Sequence, residues 1–201
     1  SYAWEGTRAF ESTGKVDSFR VVAGLYAESV QLVTMDPNIK TPADLKGKAV
    51  SIGAPGSGVY FNAIDVLNAA GLTENDISAQ YQSFADSADA LKDGKIDAAF
   101  VVAGAPTPAI TELCTTNSAY LVPIDGAVAD AMMASCPFYT TYQIPAGTYP
   151  GQDEDVTTVT VKATLIVSSS ASEDDVYKLT AAIFDNAADI AKENGKGAEL
   201  S

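Results

Sequence analysis

The residues best suited to binding chemistry are a serine and three glycines in the stretch GAPGSG, at positions 53–58. An apolar run precedes this stretch and an amphipathic segment follows it, which predicts a turn from a strand into a helix. The first amides of a helix lack intrahelical acceptors and carry partial positive charge. Ser57 stands at the N-cap position, while Gly56 and Gly58 leave the backbone open to a ligand. Two interpretations stay open: an anion site, or a serine that only caps its own helix.

A second stretch of this kind, VVAGAPTPAI, occupies residues 101–110. Thr107 stands at the expected N-cap and Pro108 at the first helical position, so a strand, a turn and a helix are again predicted. Ala105, Pro106 and Thr107 would line a wall at the same sheet edge as the first loop, where open α/β folds bind ligands. The alternative is two ordinary turns between strand and helix.

Neither common nucleotide-binding motif fits the first loop. A P-loop requires a lysine at the position where Val59 stands. The dinucleotide fingerprint GxGxxG needs a different spacing of glycines from the one in GAPGSG. The sequence therefore contains no nucleotide-binding motif at this turn.

Charge and composition exclude several classes of function. The 201 residues include 26 acidic and 12 basic side chains, and the net charge of −14 argues against nucleic acids and anionic membranes as partners. There is no histidine, which excludes an imidazole base and a histidine metal ligand. Apolar residues make up 47% and charged residues 19%, as in a globular protein. We predict no metal and no cofactor.

Two groups of acidic residues raise the question of acid–base catalysis or metal binding. Glu28 and Asp97 are candidate general acids or bases, although neither has an identifiable partner in the sequence. Asp153, Glu154 and Asp155 are consecutive and lack the spacing of a calcium-binding loop, so they predict a solvated turn. An enzyme that acts on an acidic substrate is therefore one alternative function.

Strands alternating with helices position these residues. Between residues 44 and 145, runs such as KAVSIG and IDAAFVVAG alternate with helical segments, which predicts a mostly parallel sheet with flanking helices. Long extended runs at residues 19–35 and 156–168 flank this block. If both runs cross between the same two bodies, they form a hinge between two lobes. One long C-terminal helix, capped by Ser172, is predicted after the second run.

Cys114 and Cys136 each lie near the end of a predicted helix. They are either two buried, small apolar side chains or a disulfide, which suits an exported protein. We expect the disulfide, with the two Cα atoms within about 7 Å of each other. A catalytic thiol is not expected, since there is no histidine to lower the pKa of either cysteine.

Five ordered segments resemble a known family. They are LYAESVQLVT, DLKGKAVSIGAPGSG, ADALKDGKIDAAFVVAGAPTPAI, VPIDG and IPAGTYPGQDEDVTTVTVKATLIV. Over residues 1–190 the chain resembles the TAXI family of solute-binding proteins, the extracytoplasmic receptors of TRAP transporters. These transporters take up organic acids by using ion gradients. The resemblance implies a bilobed α/β fold, the periplasmic-binding-protein-like fold of type II.

The resemblance also implies a division of the chain. Residues 1–43 would form part of lobe 1 and one hinge crossing, and residues 44–145 a complete lobe 2. Residues 146–201 would form the return crossing and the C-terminal part of lobe 1. Family members carry a longer N-terminal portion that supplies part of the site, so lobe 1 is expected to be incomplete here and a signal region to lie upstream. We expect such a lobe to self-associate or to be poorly ordered.

The function implied by the resemblance is extracytoplasmic capture of a small carboxylate and its delivery to a TRAP permease, without covalent chemistry. The solute would be glutamate, a dicarboxylate or a 2-oxo acid. Residues 56–58 would bind the carboxylate and residues 105–107 would line the opposite wall. Tyr2 and Tyr26 are weaker candidates that would close over the ligand. A surface interaction module without a small ligand is the other alternative.

Overall fold

The computed structural model describes residues 2–200. In this range the strands are β1 (Phe19–Thr34), β2 (Ala49–Ser51), β3 (Ser78–Gln80), β4 (Ala98–Ala103), β5 (Tyr120–Val122), β6 (Thr140–Ile144) and β7 (Val156–Ser168). The α-helices are α1 (Tyr2–Glu5), α2 (Gly58–Ala69), α3 (Phe84–Lys92), α4 (Pro108–Thr116), α5 (Gly126–Ser135), α6 (Glu173–Asp185) and α7 (Ala187–Glu193). Short 3₁₀ helices span Arg8–Phe10, Pro42–Leu45, Glu74–Asp76 and Gly195–Glu199. Across these residues, no helix combines the length and the apolar character needed to cross a membrane.

The strands form one mixed sheet. Its order is β3–β2–β4–β1–β7–β6, and β5 also pairs with β1. β2 runs parallel to β3 and β4, whereas β1 runs antiparallel to β4 and β5, and β6 runs antiparallel to β7. The α/β class is as predicted, but the sheet is mixed rather than mostly parallel. The difference arises at β1, β6 and β7, because hydrophobic periodicity identifies a strand without showing its direction.

Side chains along β4 alternate between the two faces of the sheet. Ala98 and Phe100 belong to a core that also contains residues of α2 and α5. Ala99 and Val101 belong to a second core, which contains residues of α3 and α4. Successive strand residues point to opposite faces, so each face of β4 is covered by one pair of helices.

The described residues divide into two compact units. One unit comprises residues 28–161 and contains both cores. The other comprises residues 2–27 and 162–200, and among these residues no hydrophobic side chain is buried. Trp4 and Tyr177 of this unit are 53% and 72% exposed. Burial of apolar surface is the main stabilising term in folding, so the unit of residues 28–161 holds most of that stabilisation.

Local sequence signals set the ends of the helices beside the loops. Ser57 caps α2, and Gly71 follows α2 with φ +77°, the left-handed conformation that suits a glycine after a helix. Ser172 caps α6 in the same way as Ser57 caps α2. The C-terminal segment, however, forms two helices instead of the single one predicted. The helical geometry is interrupted at Asn186, whose φ is −106° and ψ is 14°.

Cys114 and Cys136, both within the described range, do not form the disulfide that we expected. Cys114 lies on α4 and packs against the core on the α3 and α4 face. Cys136 follows α5 and is buried in the core on the opposite face. The sheet separates the two thiols. Their spacing in the sequence did not reveal this, because it does not show which face each helix covers.

Candidate functional site

Three parallel strands bring three loops to one edge of the sheet. β2 lies between β3 and β4, and Ser51 pairs with a residue of each. Since the three strands run in the same direction, residues 53–57, 81–83 and 104–107 all follow their carboxyl ends. α2, α3 and α4 begin from these loops. This carboxyl edge, within the unit of residues 28–161, is the candidate site.

The loop after β2 adopts a conformation that requires glycine. Gly53 has φ +78°, and a Cβ added there would lie 2.8 Å from the Cβ of Val59. Gly56 has φ +75°. Ser57 uses its polar groups locally, because its Oγ caps α2 and its amide donates to the carbonyl of Ala54 at 3.0 Å. Ser57 therefore fixes the start of the helix.

The available donors of this loop are the next two amides. Within residues 2–200, no hydrogen bond uses the amide of Gly58 or of Val59. Both amides lie in the first turn of α2, where the partial positive charge of the helix dipole is concentrated. A Cβ added at Gly58 would meet no atom within 4 Å, so there is open space beside it. The edge thus offers two donors to an anion.

The loop after β4 is held by a tyrosine that the sequence did not single out. The amide of Thr107 donates to Tyr149 Oη at 2.8 Å, and Tyr149 Oη donates to Gln31 Oε1 at 2.5 Å. Gln31 Nε2 donates to Thr107 Oγ1 at 3.0 Å. Burial raises the pKa of the Tyr149 phenol, which therefore stays protonated as a donor. The Thr107 amide is engaged inside the protein.

The three residues predicted to line this wall differ in their exposure to solvent. Ala105 and Pro106 are joined by a cis peptide bond; Ala105 is buried and Pro106 is exposed. Thr107 is buried and supports the turn from inside. A polar Gln31 within an apolar strand was an available signal for a buried network. No sequence signal identified Tyr149, because it lies in a loop whose residues show no periodicity.

Two buried polar atoms near this edge have no hydrogen-bond partner among the described residues. One is Oγ of Ser29, which is 1% exposed and pairs with Ala103 at the end of β4. The other is Oε1 of Gln82, just beyond β3. Leaving a buried polar atom unsatisfied costs about 1–3 kcal/mol, so such atoms are uncommon and need an explanation. A hydrogen bond to solvent or to a small polar molecule would satisfy each atom.

Glu28 lies beside the carboxyl end of β4, and Asp97 lies at the amino end of the same strand. Thr34 Oγ1 donates to the Asp97 carbonyl at 2.6 Å, and Asp97 Oδ2 accepts from the amide of Ala49 at 2.7 Å. Asp97 is therefore a structural residue at the amino edge of β4. Glu28 lies six residues before Thr34 on β1, a distance of about 20 Å along a strand. A shared acid–base role is excluded by this separation.

The two predicted tyrosines belong to the other unit. The guanidinium carbon of Arg8 lies 5.9 Å from the ring centre of Tyr2. Tyr26 lines an apolar cavity of about 230 Å³, together with Leu25 and residues of α6 and α7. The carboxyl edge of the unit of residues 28–161 includes neither tyrosine.

The acidic run at residues 153–155 closes a turn. Asp155 Oδ1 accepts from the amide of Ala146 at 2.8 Å, and the carbonyl of Glu154 accepts from Gln152 Nε2 at 3.0 Å. In the described part of the chain, no group of three or more cysteine, aspartate or glutamate side chains is placed to hold a metal ion.

Known structures share this fold. The periplasmic aliphatic sulphonate-binding protein SsuA of Escherichia coli is 15% identical, with a TM-score of 0.51 over 88% of this chain and 49% of that one. The alkanesulfonate-binding protein SsuA of Xanthomonas axonopodis pv. citri, bound to MOPS, is 20% identical, with a TM-score of 0.53 over 90% of this chain and 52% of that one. The chain therefore spans about half the length of these neighbours and has a periplasmic-binding-protein-like fold.

The sequence matches one family model along its whole length. The model is that of the NMT1-like family, and the match extends over residues 1–201. It includes both strand-to-helix loops of the carboxyl edge. The chain belongs to the NMT1-like family.

Proposed function

We propose that this protein is an extracytoplasmic solute-binding receptor that captures a small carboxylate at the carboxyl edge of β2, β3 and β4. The observation that carries the proposal is the pair of amides of Gly58 and Val59, which have no acceptor within residues 2–200. Backbone amides at a helix start suit an oxyanion, since they supply both hydrogen bonds and positive potential. They also counter locally the net charge of −14.

The proposal includes the finer assignments implied by the sequence. The receptor belongs to the TAXI type, and it delivers its solute to a TRAP permease. The family and the names of the structural neighbours support a binding role, since both neighbours are described as binding proteins. Binding without covalent chemistry is favoured over the enzyme alternative, because Glu28 and Asp97 are too far apart to act together.

The test removes one amide without disturbing the helix. Gly58→Pro deletes the N–H at the first helical position, where proline is favoured. Ser57 already has φ −71° and ψ 162°, the extended conformation that a following proline requires. Gly58→Ala is the matched control, because it retains the amide and its Cβ enters open space. Binding of glutamate, 2-oxoglutarate and ethanesulfonate is measured by calorimetry.

The proline variant is expected to lose about tenfold or more in affinity, the range for a hydrogen bond to a charged group, while the alanine variant binds as the wild type does. Circular dichroism should show an intact helix in both variants. Equal affinity in the two variants would place the anion elsewhere. Absence of binding by the wild type across the panel would contradict the receptor proposal itself.

A further inference from the structure

Glu28 is an acidic side chain at the carboxyl edge that the structure leaves without a partner. Within residues 2–200, no hydrogen bond and no ion pair involves its carboxylate. Its backbone is fixed, because the Glu28 carbonyl accepts from Thr160 Oγ1 at 2.9 Å. Burial raises the pKa of its carboxyl group, and no nearby positive charge opposes that effect. The half-buried carboxylate of Glu28 therefore has no counterion among the described residues.

The sheet register places Glu28 at the same edge as the start of α2. It precedes Ser29, which pairs with Ala103, so Glu28 lies beyond the last residue of β4. β4 alone separates β1 from β2, which leads into the loop of residues 53–57. Two strand spacings correspond to about 10 Å between the backbones of β1 and β2. The backbone of Glu28 and the loop that leads into α2 are therefore two strands apart at the same edge of the sheet.

The direction of the Glu28 side chain follows from its neighbours on β1. Val30 and Leu32 belong to the core that contains α2 residues Val66 and Leu67. Alternate residues of a strand share a face, so Glu28 faces the α2 side of the sheet. The Glu28 carboxylate and the amides of Gly58 and Val59 therefore lie on the same face and at the same edge of the sheet.

We propose that Glu28 binds a positively charged nitrogen of the solute whose anionic group is held by the amides of Gly58 and Val59. The site then selects zwitterionic solutes, amino acids or aminosulfonates, over the acids that lack the amino group. This inference rests on the proposed receptor function. It gives Glu28 a specificity-determining role.

Matched pairs of solutes test the inference on the full chain. Glutamate is compared with glutarate, and taurine with ethanesulfonate, since the members of each pair differ in one amino group. Calorimetric titrations are run on the wild type, on Glu28→Gln and on Glu154→Gln. Glu154 is an exposed acid in the turn before β7, and the control removes the same formal charge away from the carboxyl edge.

The wild type and Glu154→Gln are expected to prefer the amino member of a pair by about tenfold or more, and Glu28→Gln to lose that preference while still binding the simple acid. The thermal midpoint of ligand-free Glu28→Gln should not fall, because the substitution removes a partly buried charge without a partner. Binding without an amino preference in the wild type, or a preference that survives Glu28→Gln, overturns this inference alone. Failure of both pairs to bind overturns the receptor function as well.

Discussion

Tyr149 is the residue whose removal should most disturb the carboxyl edge. Its hydroxyl accepts from the Thr107 amide and donates to Gln31 Oε1, and all three residues are buried. Tyr149→Phe leaves a buried donor and a buried acceptor unsatisfied. We expect the free energy of unfolding to fall by about 2–6 kcal/mol, since each of the two unsatisfied groups costs about 1–3 kcal/mol. Urea denaturation followed by circular dichroism measures this change.

Tyr177→Phe is the matched control for that prediction. Tyr177 is 72% exposed, and loss of its hydroxyl should change the free energy of unfolding by less than about 0.5 kcal/mol. Equal effects of the two substitutions would show that the buried hydrogen bonds around Thr107 contribute little.

At the residue scale, the features predicted from the sequence are those that depend on residues close by in the chain. Ser57 as a cap and the glycines of the first loop follow from the chain's own neighbours, and the structure contains that cap. The partner of the Thr107 amide was not predictable, because Tyr149 is distant in sequence and is brought there by the folded chain. The anionic solute itself stays a prediction.

At the scale of elements, two short 3₁₀ helices share one capping arrangement. Asp44 Oδ2 accepts from the amide of Thr41, and Asp76 Oδ2 accepts from the amide of Thr73, each at 2.8 Å. Backbone hydrogen bonds from Lys40 and Thr41 lower the pKa of Asp44, and those from Thr73 lower the pKa of Asp76. Both carboxylates therefore favour the folded state when ionised.

The expected consequence is a contribution to stability that acid removes. A carboxyl group whose pKa is lower in the folded state binds fewer protons there than in the unfolded state. Its contribution is present above the unfolded value of 3.8 and is lost as the pH falls through the folded value. The double variant Asp44→Asn, Asp76→Asn should be slightly less stable at pH 7 and show a flatter decline below about pH 4. Thermal melts from pH 7 to pH 3 measure both effects.

Asp93→Asn with Asp89→Asn is a suitable control for the acid series. Both residues are exposed acids that pair with lysine side chains instead of backbone amides. Surface ion pairs of this kind contribute little to stability. An acid profile altered as much by this control as by the capping variant would assign the effect to general surface charge.

Element types were predicted more accurately than the connections between them. Alternating apolar and helical segments identified β2, α2, β4 and α4, because periodicity is a local property. The antiparallel direction of β1 and the faces covered by α4 and α5 depend on the whole sheet. For that reason the mixed sheet and the separation of the two cysteines appear only in the structure.

At the scale of the whole molecule, the two units should differ in local stability. The unit of residues 28–161 contains both hydrophobic cores, whereas residues 2–27 and 162–200 bury no hydrophobic side chain. Local opening is easiest where few apolar groups are buried. Hydrogen exchange followed by mass spectrometry should show amides of α6 and α7 exchanging at least about tenfold faster than those of α2 and β4.

Uniform protection across the two units would contradict this expectation. It would mean that the unit of residues 2–27 and 162–200 gains its stability from association, which sedimentation at several concentrations would detect. The block predicted at residues 44–145 lies inside the unit of residues 28–161. That unit extends beyond the block because it includes residues 28–34 of β1 and 156–161 of β7.

The two cysteines on opposite faces of the sheet make separate chemical probes of the folded chain. Cys114 is partly accessible, but burial raises the pKa of its thiol, so alkylation at neutral pH should be slow and should accelerate in mild alkali. Cys136 is buried and should react only when the core around α5 opens. The reaction rate of Cys136 therefore reports on the opening of the core around α5, and the rate of Cys114 provides an internal reference within the same unmodified molecule.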